Sequence, residues 1–143
     1  MSTCSYICKE LRTTKKTGNV LGIYCHYDGY IEHNGYILSN YYNTKGKVNE
    51  LMALGNLSSL AEHPSPKEGE THCFEEPLND VCVAYGRDRH EKGQKAKKVE
   101  LKTILTDGWI EYVYLYTLKG EWQLVDINGK GEIVYFPIFP DKY

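Results

Sequence analysis

Residues 110–118 and 121–126, joined by Lys119-Gly120, restrict the fold more than any other part of this chain. In the first run Tyr112, Tyr114 and Tyr116 fall on one face and Val113 and Leu115 on the other, which is the period of a strand and not of a helix. With a glycine-containing link between the two runs, the pattern predicts a β-hairpin. Residues 5–11 and 19–24 are also rich in β-formers and flank the polar stretch 13–18, which ends in Gly18, so a second hairpin opens the chain. Residues 81–85 form a short β-branched run, and a last strand over 132–136 follows Asn128-Gly129 and stops at Pro137.

Helical signals sit between these strands. Ile37, Leu38 and Tyr41 recur at helical spacing after Asn34-Gly35 and predict a helix over 34–42. Thr44 is a good N-cap for another, with Val48, Leu51 and Met52 as its apolar stripe and Gly55 where a positive-φ cap is wanted. Residues 61–70, with Pro64, Pro66 and Gly69 among polar side chains, read as a loop, and 99–105 as a short helix or turn. The expectation is one α+β domain over residues 1–143: a mainly antiparallel sheet of hairpins with about two helices packed on one face. Parallel βαβ winding draws no support.

Charge and cysteine usage narrow the function classes. With 17 basic and 19 acidic side chains the net charge is -2, which argues against nucleic acid as a partner recruited by bulk charge. The local excess of Arg87, Arg89, Lys92, Lys95, Lys97 and Lys98 reads first as a solvated loop. Five cysteines without a regular framework, and an N-terminal stretch without a secretory apolar run, point to reduced thiols in a cytosol. No apolar run approaches the length of a membrane span.

Cys25-His26 and His72-Cys73 are adjacent pairs of zinc-ligand types, but structural zinc sites space paired ligands two to four residues apart, so buried thiols and surface histidines are the favoured reading. A cysteine nucleophile could be paired on paper with any of five histidines, and that freedom empties the match of meaning. No Gly-x-Ser-x-Gly elbow, Walker loop, Rossmann fingerprint or His-Glu-x-x-His pattern occurs, so neither a catalytic set nor a cofactor is expected, with a small enzyme acting on a nucleotide, His26 as acid/base and Arg87 or Arg89 on phosphate, as the alternative.

Two polar-aromatic segments remain, residues 24–30 (Tyr-Cys-His-Tyr-Asp-Gly-Tyr) and 85–89 (Tyr-Gly-Arg-Asp-Arg), each delivered by the end of a strand. Tyr24, His26, Tyr27, Asp28, Tyr30, Tyr85, Arg87, Asp88 and Arg89 together supply guanidinium groups for phosphate and aromatic faces for a base. That inventory fits a small anionic, nucleotide-like ligand. An internal ion-pair network, with an aspartate capping a turn and an arginine pinning it, fits the same residues equally well.

These segments, with the opening Met1-Ser2-Thr3, the stretch 54–60 and the late Gly120-Glu121-Trp122, resemble a group of small, functionally uncharacterised proteins of bacteriophages and prophages. The resemblance covers most of the chain. Tyr27 departs from the group's tryptophan, keeping a ring and losing the indole donor, and the tail from Asn128 is extra. What the resemblance implies is a phage accessory protein in the host cytoplasm, acting against a host defence through a nucleotide-derived signal or a host defence protein. The edge strands of the expected sheet could also pair with a second copy of the chain.

Overall fold

The structure is a computed structural model that describes residues 2–138. The opening hairpin is β1 (Ser5–Glu10) and β2 (Asn19–Cys25), in antiparallel register from Ser5↔Cys25 to Glu10↔Val20. Its polar link contains one helical turn, α1 (Thr14–Thr17), closed by Gly18 at φ 75°. A π-helical turn (Ile31–Gly35), α2 (Tyr36–Tyr41) and α3 (Lys45–Leu54) follow, then β3 (Leu57–Ser59), β4 (Val83–Ala84) and α4 (Tyr85–Arg89). The chain continues through β5 (Lys97–Glu100), α5 (Leu101–Leu105), β6 (Tyr112–Tyr116), β7 (Trp122–Ile127) and β8 (Ile133–Pro137).

The strands form one sheet in the order β4-β3-β2-β1-β6-β7-β8, with β5 sharing the outer edge of β2. Most pairs are antiparallel, as the hairpin signals predict, including β6 with β7 and β7 with β8. Two pairs are parallel, β1 with β6 and β2 with β3. The second is a strand–helix–helix–strand crossover, so parallel winding is present after all, at one end of the sheet.

The expectation of about two helices on one face requires a second correction. Ile37 and Leu38 of α2, and Val48, Leu51 and Met52 of α3, pack against Ile7, Ile23, Leu57, Tyr114 and Tyr116 on one face. On the opposite face Leu101 and Ile104 of α5 pack on Cys8, Val20, Val113, Leu115 and Val125. Five α-helical segments therefore lie among the described residues, and both faces of the sheet are covered. Each fully buried leucine, valine or isoleucine contributes about 1.5–3 kcal/mol by leaving water.

Thirteen tyrosines against three phenylalanines also find a physical reason here. Tyr42 and Tyr114 are fully buried, and their hydroxyls donate to the carbonyls of Ala61 (2.8 Å) and Gly29 (2.5 Å). Those carbonyls belong to irregular segments, and an apolar ring would leave them unpaired in the core. Trp122 does the same for the carbonyl of Tyr42, through its indole nitrogen at 2.8 Å.

Thr44 caps α3 as expected, its side chain accepting from the backbone N–H of Lys47, and Gly55 ends the helix at φ 76°, ψ -156°. A Cβ at Gly55 would lie 2.1 Å from the carbonyl oxygen of Gln94. Gly55→Ala is therefore expected to cost about 2 kcal/mol or more, through the glycine-only conformation and the backbone clash, measured as a lowered urea midpoint with an unchanged slope.

Candidate functional site

The two polar-aromatic segments are neighbours across β3. On one side His26 and Tyr27 extend the β2 pairing by donating their backbone N–H groups to Leu57 and Ser58 (3.0 Å each). On the other, Leu57 pairs with Ala84 and the Tyr85 N–H donates to the Asn56 carbonyl at 3.2 Å. Asn56 joins three segments at once. Its Oδ1 accepts from the Tyr24 N–H at 2.9 Å, its Nδ2 donates to Gln94 Oε1 at 3.0 Å, and its own N–H donates to the Gln94 carbonyl at 2.7 Å. Asn56, Leu57 and Ser58 thus carry both segments and the middle of the basic loop.

The second segment is α4, one helical turn and not a displayed strand end. Within it the two arginines have separate duties. Arg87 donates from Nε to Asp88 Oδ1 (2.8 Å), from Nη2 to Asp88 Oδ2 (3.0 Å) and to the Cys82 carbonyl (2.7 Å), and from Nη1 to the Pro64 carbonyl (2.7 Å) and Ser65 Oγ (3.1 Å). Asp88, with a side chain only 4% exposed, also accepts from the Ala84 N–H at 2.8 Å and from His72 Nε2 at 3.2 Å. His72 is the reverse of a surface histidine: its side chain is 1% exposed and its Nδ1 accepts from the Leu78 N–H at 2.9 Å. Because Nδ1 accepts, the proton sits on Nε2, where it reaches Asp88 and the Cys82 carbonyl. Arg87 and Asp88 thereby fasten the proline-containing loop to the sheet.

Burial pushes the Asp88 carboxyl up, but hydrogen bonds from Arg87 and the Ala84 N–H, with the Arg87 charge, outweigh it and hold the group below the usual carboxylate range. A depressed folded-state value means stability that is complete above about pH 4, the unfolded value, and is lost as pH falls through the folded one. Stability measured from pH 6 downward should decline below about pH 4, and Asp88→Asn should flatten that decline.

Arg89 faces outward. Its guanidinium carbon lies 4.6 Å from the Phe74 ring centroid and 4.7 Å from that of Tyr85, and its edge pairs with Glu91. The Tyr85 hydroxyl meets Ser58, and burial pushes this phenol above its ordinary value. A groove of about 600 Å³ beside α4 is lined by Gly86, Arg87, Lys92, Gln94 and Lys95, among others.

The first segment builds a ring ladder. Tyr24 meets Tyr6 edge-on (6.2 Å between centroids), His26 lies 6.0 Å from Tyr24, and Tyr27 packs edge-on against His26 at 4.5 Å. Tyr27 is 47% exposed. At the Asp28-Gly29 turn the positive φ belongs to Asp28 (57°), a residue type that tolerates it. Asp28 is solvent-exposed, while the carboxylate that holds Arg87 is Asp88. Gly29 is needed for space instead, since a Cβ there would lie 2.7 Å from both Ser5 Cβ and the Thr3 carbonyl oxygen. Tyr30 precedes the π turn, its ring 6.1 Å from His33.

Three contributors escaped the sequence reading. Trp109, 67% exposed, is a neighbour of the Tyr24 hydroxyl. Phe74 completes the stack with Arg89, and the Cys4 thiol lies beside Tyr24 and His26. The two rings stand in loops with no periodic signal; only their isolation among polar residues marks them. Among the described residues no helix is long and apolar enough to cross a membrane, and no group of three or more His, Cys, Asp or Glu side chains is placed to hold a metal ion. No protein-family model matches the chain, and searches of curated proteins and of solved structures return no match.

Proposed function

We propose that this is a non-catalytic binding protein that sequesters a small, anionic, nucleotide-derived ligand on the surface formed by Tyr24, His26, Tyr27, Tyr85 and Arg89. The observation that carries this reading is the outward guanidinium of Arg89, stacked on Phe74 and Tyr85 and separated only by β3 from the exposed Tyr27 ring and the half-buried His26. Aromatic faces accept a base without regard to its hydrogen-bonding edge, and arginine pairs with phosphate oxygens. In the phage setting that the sequence resemblance implies, such a ligand is a host immune signal and the protein a counter-defence factor in the host cytoplasm.

Arg87 and Asp88 support the surface from beneath, because their polar atoms are engaged in holding the loop. A partner protein is the second reading, and the exposure of Trp109 and Tyr27 favours that surface over the hairpin tyrosines, since Tyr114 and Tyr116 are buried. A thermal-shift screen against cyclic dinucleotides and ADP-ribose derivatives tests the first reading. A true ligand at a hundred times its Kd stabilises the fold by about 2.7 kcal/mol. Recovery of the intact ligand after denaturation supports sequestration, whereas altered products would replace it with catalysis.

A further inference from the structure

The chain offers five cysteines and five histidines, and the structure singles out one pair. Cys4 Sγ lies 3.9 Å from His26 Nδ1, and the Tyr24 hydroxyl sits between them, 3.0 Å from Sγ and 2.8 Å from Nδ1. The three side chains come from different segments: Cys4 precedes β1, Tyr24 lies on β2 and His26 follows it. Cys4 is held from both sides by its backbone neighbours, the Gly29 N–H donating to the Thr3 carbonyl (2.8 Å) and the Glu111 N–H to that of Cys4 (3.0 Å).

The geometry points to Cys4 as a nucleophilic thiol that forms covalent adducts with small, soft carbon electrophiles, with His26 as its base and Tyr24 as the hydroxyl that donates a hydrogen bond to the sulfur. A nucleophile and a base within hydrogen-bonding reach, with the base oriented by a third group, is the arrangement such chemistry needs. The thiol gives its proton to His26 Nδ1 across their direct contact while the Tyr24 hydroxyl donates to Sγ, leaving a thiolate beside an imidazolium. The Sγ electron pair then forms the S–C bond, the bond from carbon to the leaving group breaks, and that group departs with its electron pair. The proton passes from His26 to solvent. Burial, and then the hydrogen bond to Cys4, push the Tyr24 hydroxyl upward, so at neutral pH it stays protonated and serves as a donor to the sulfur rather than a base.

Cys4 is 2% exposed, and Ser2, itself half-buried with Oγ 3.8 Å from Sγ, is part of its cover. Reaction therefore requires displacement of Ser2, whereas three of the other thiols are hindered more deeply. Cys8, Cys25 and Cys82 are fully buried inside the sheet packing, and burial pushes all three upward, Cys25 to about 12. Cys73 is partly exposed and provides an internal standard.

The test is iodoacetamide labelling of the folded chain at pH 7 without ligand, followed residue by residue by peptide mass spectrometry. Cys4 is expected to label faster than Cys73 while Cys8, Cys25 and Cys82 stay protected, that protection reporting an intact fold. Tyr24→Phe keeps the ring and should slow Cys4 about tenfold relative to Cys73, and His26→Gln should slow it at least as much. Cys4 unlabelled when Cys73 is complete, or labelling at the wild-type rate in both variants, would overturn the assignment. The readout needs no nucleotide, so its failure is distinct from failure of the binding reading.

Discussion

Asp88→Ala is expected to destabilise the protein by about 3 kcal/mol, a large share of the stability of a domain this size. The carboxylate receives four hydrogen bonds, two from Arg87, one from the Ala84 N–H and one from His72. Its removal strips Arg87 of its counter-charge, takes an acceptor from the Ala84 N–H and leaves the buried His72 N–H with the Cys82 carbonyl alone, so desolvation is added to the loss of the bonds themselves. Arg87 is 29% exposed and can recover part of its hydration, which is why the lower end of the range for broken buried pairs applies. Arg87→Ala should be as costly, because it strips the buried carboxylate of its counter-charge and frees the Pro64 and Cys82 carbonyls. Urea denaturation reads both losses; a change below about 1 kcal/mol for either would show that the loop is held by other contacts.

Arg89→Ala should behave oppositely, with little effect on stability and a large effect on binding. The guanidinium is exposed, and an exposed pair with Glu91 together with a surface cation–π contact contributes at most about 1–2 kcal/mol to the fold. In the bound state the same group would face the ligand's phosphate, and Tyr27 its base, where each stacked base is worth about 1–3 kcal/mol. Since 1.4 kcal/mol is a factor of ten, Arg89→Ala and Tyr27→Ala should each weaken binding about tenfold or more while unfolding within about 2 kcal/mol of the wild type. The Tyr-Gly-Arg-Asp-Arg motif thus divides into a structural pair and a surface cation two residues apart.

How much of this the chain discloses depends on the range of the interaction. The β6–β7 hairpin and α3 were legible because alternation, caps and apolar stripes are local signals. Helices on both faces were in principle readable too, since Val113 and Leu115 are as apolar as the tyrosines opposite them, and a strand apolar on both sides must be covered on both. β5 was not legible: Lys97, Lys98 and Glu100 are exposed, and the strand exists through backbone pairing to Asn19–Gly22 some 80 residues earlier in the chain. β3, three residues long, gives too little alternation to register, whereas β4 falls inside the β-branched run 81–85.

The site divides in the same way. Its segments stood out by residue type, but the division of duties between Arg87 and Arg89 depends on Pro64, His72, Phe74 and Cys82, partners that only the folded chain brings together. The same holds for Cys4, whose pairing with His26 across 22 residues could not be chosen from among the alternatives in sequence.

The most direct test of the binding reading is isothermal titration of the protein with the cyclic dinucleotide or ADP-ribose derivative that most raises its melting temperature, run in parallel on Arg89→Ala and Tyr27→Ala. The account predicts saturable binding by the wild type, at least tenfold weaker binding by each variant at near-native stability, and recovery of the ligand unchanged. Absence of stabilisation and heat with every member of both ligand classes, or undiminished affinity in both variants, would contradict it.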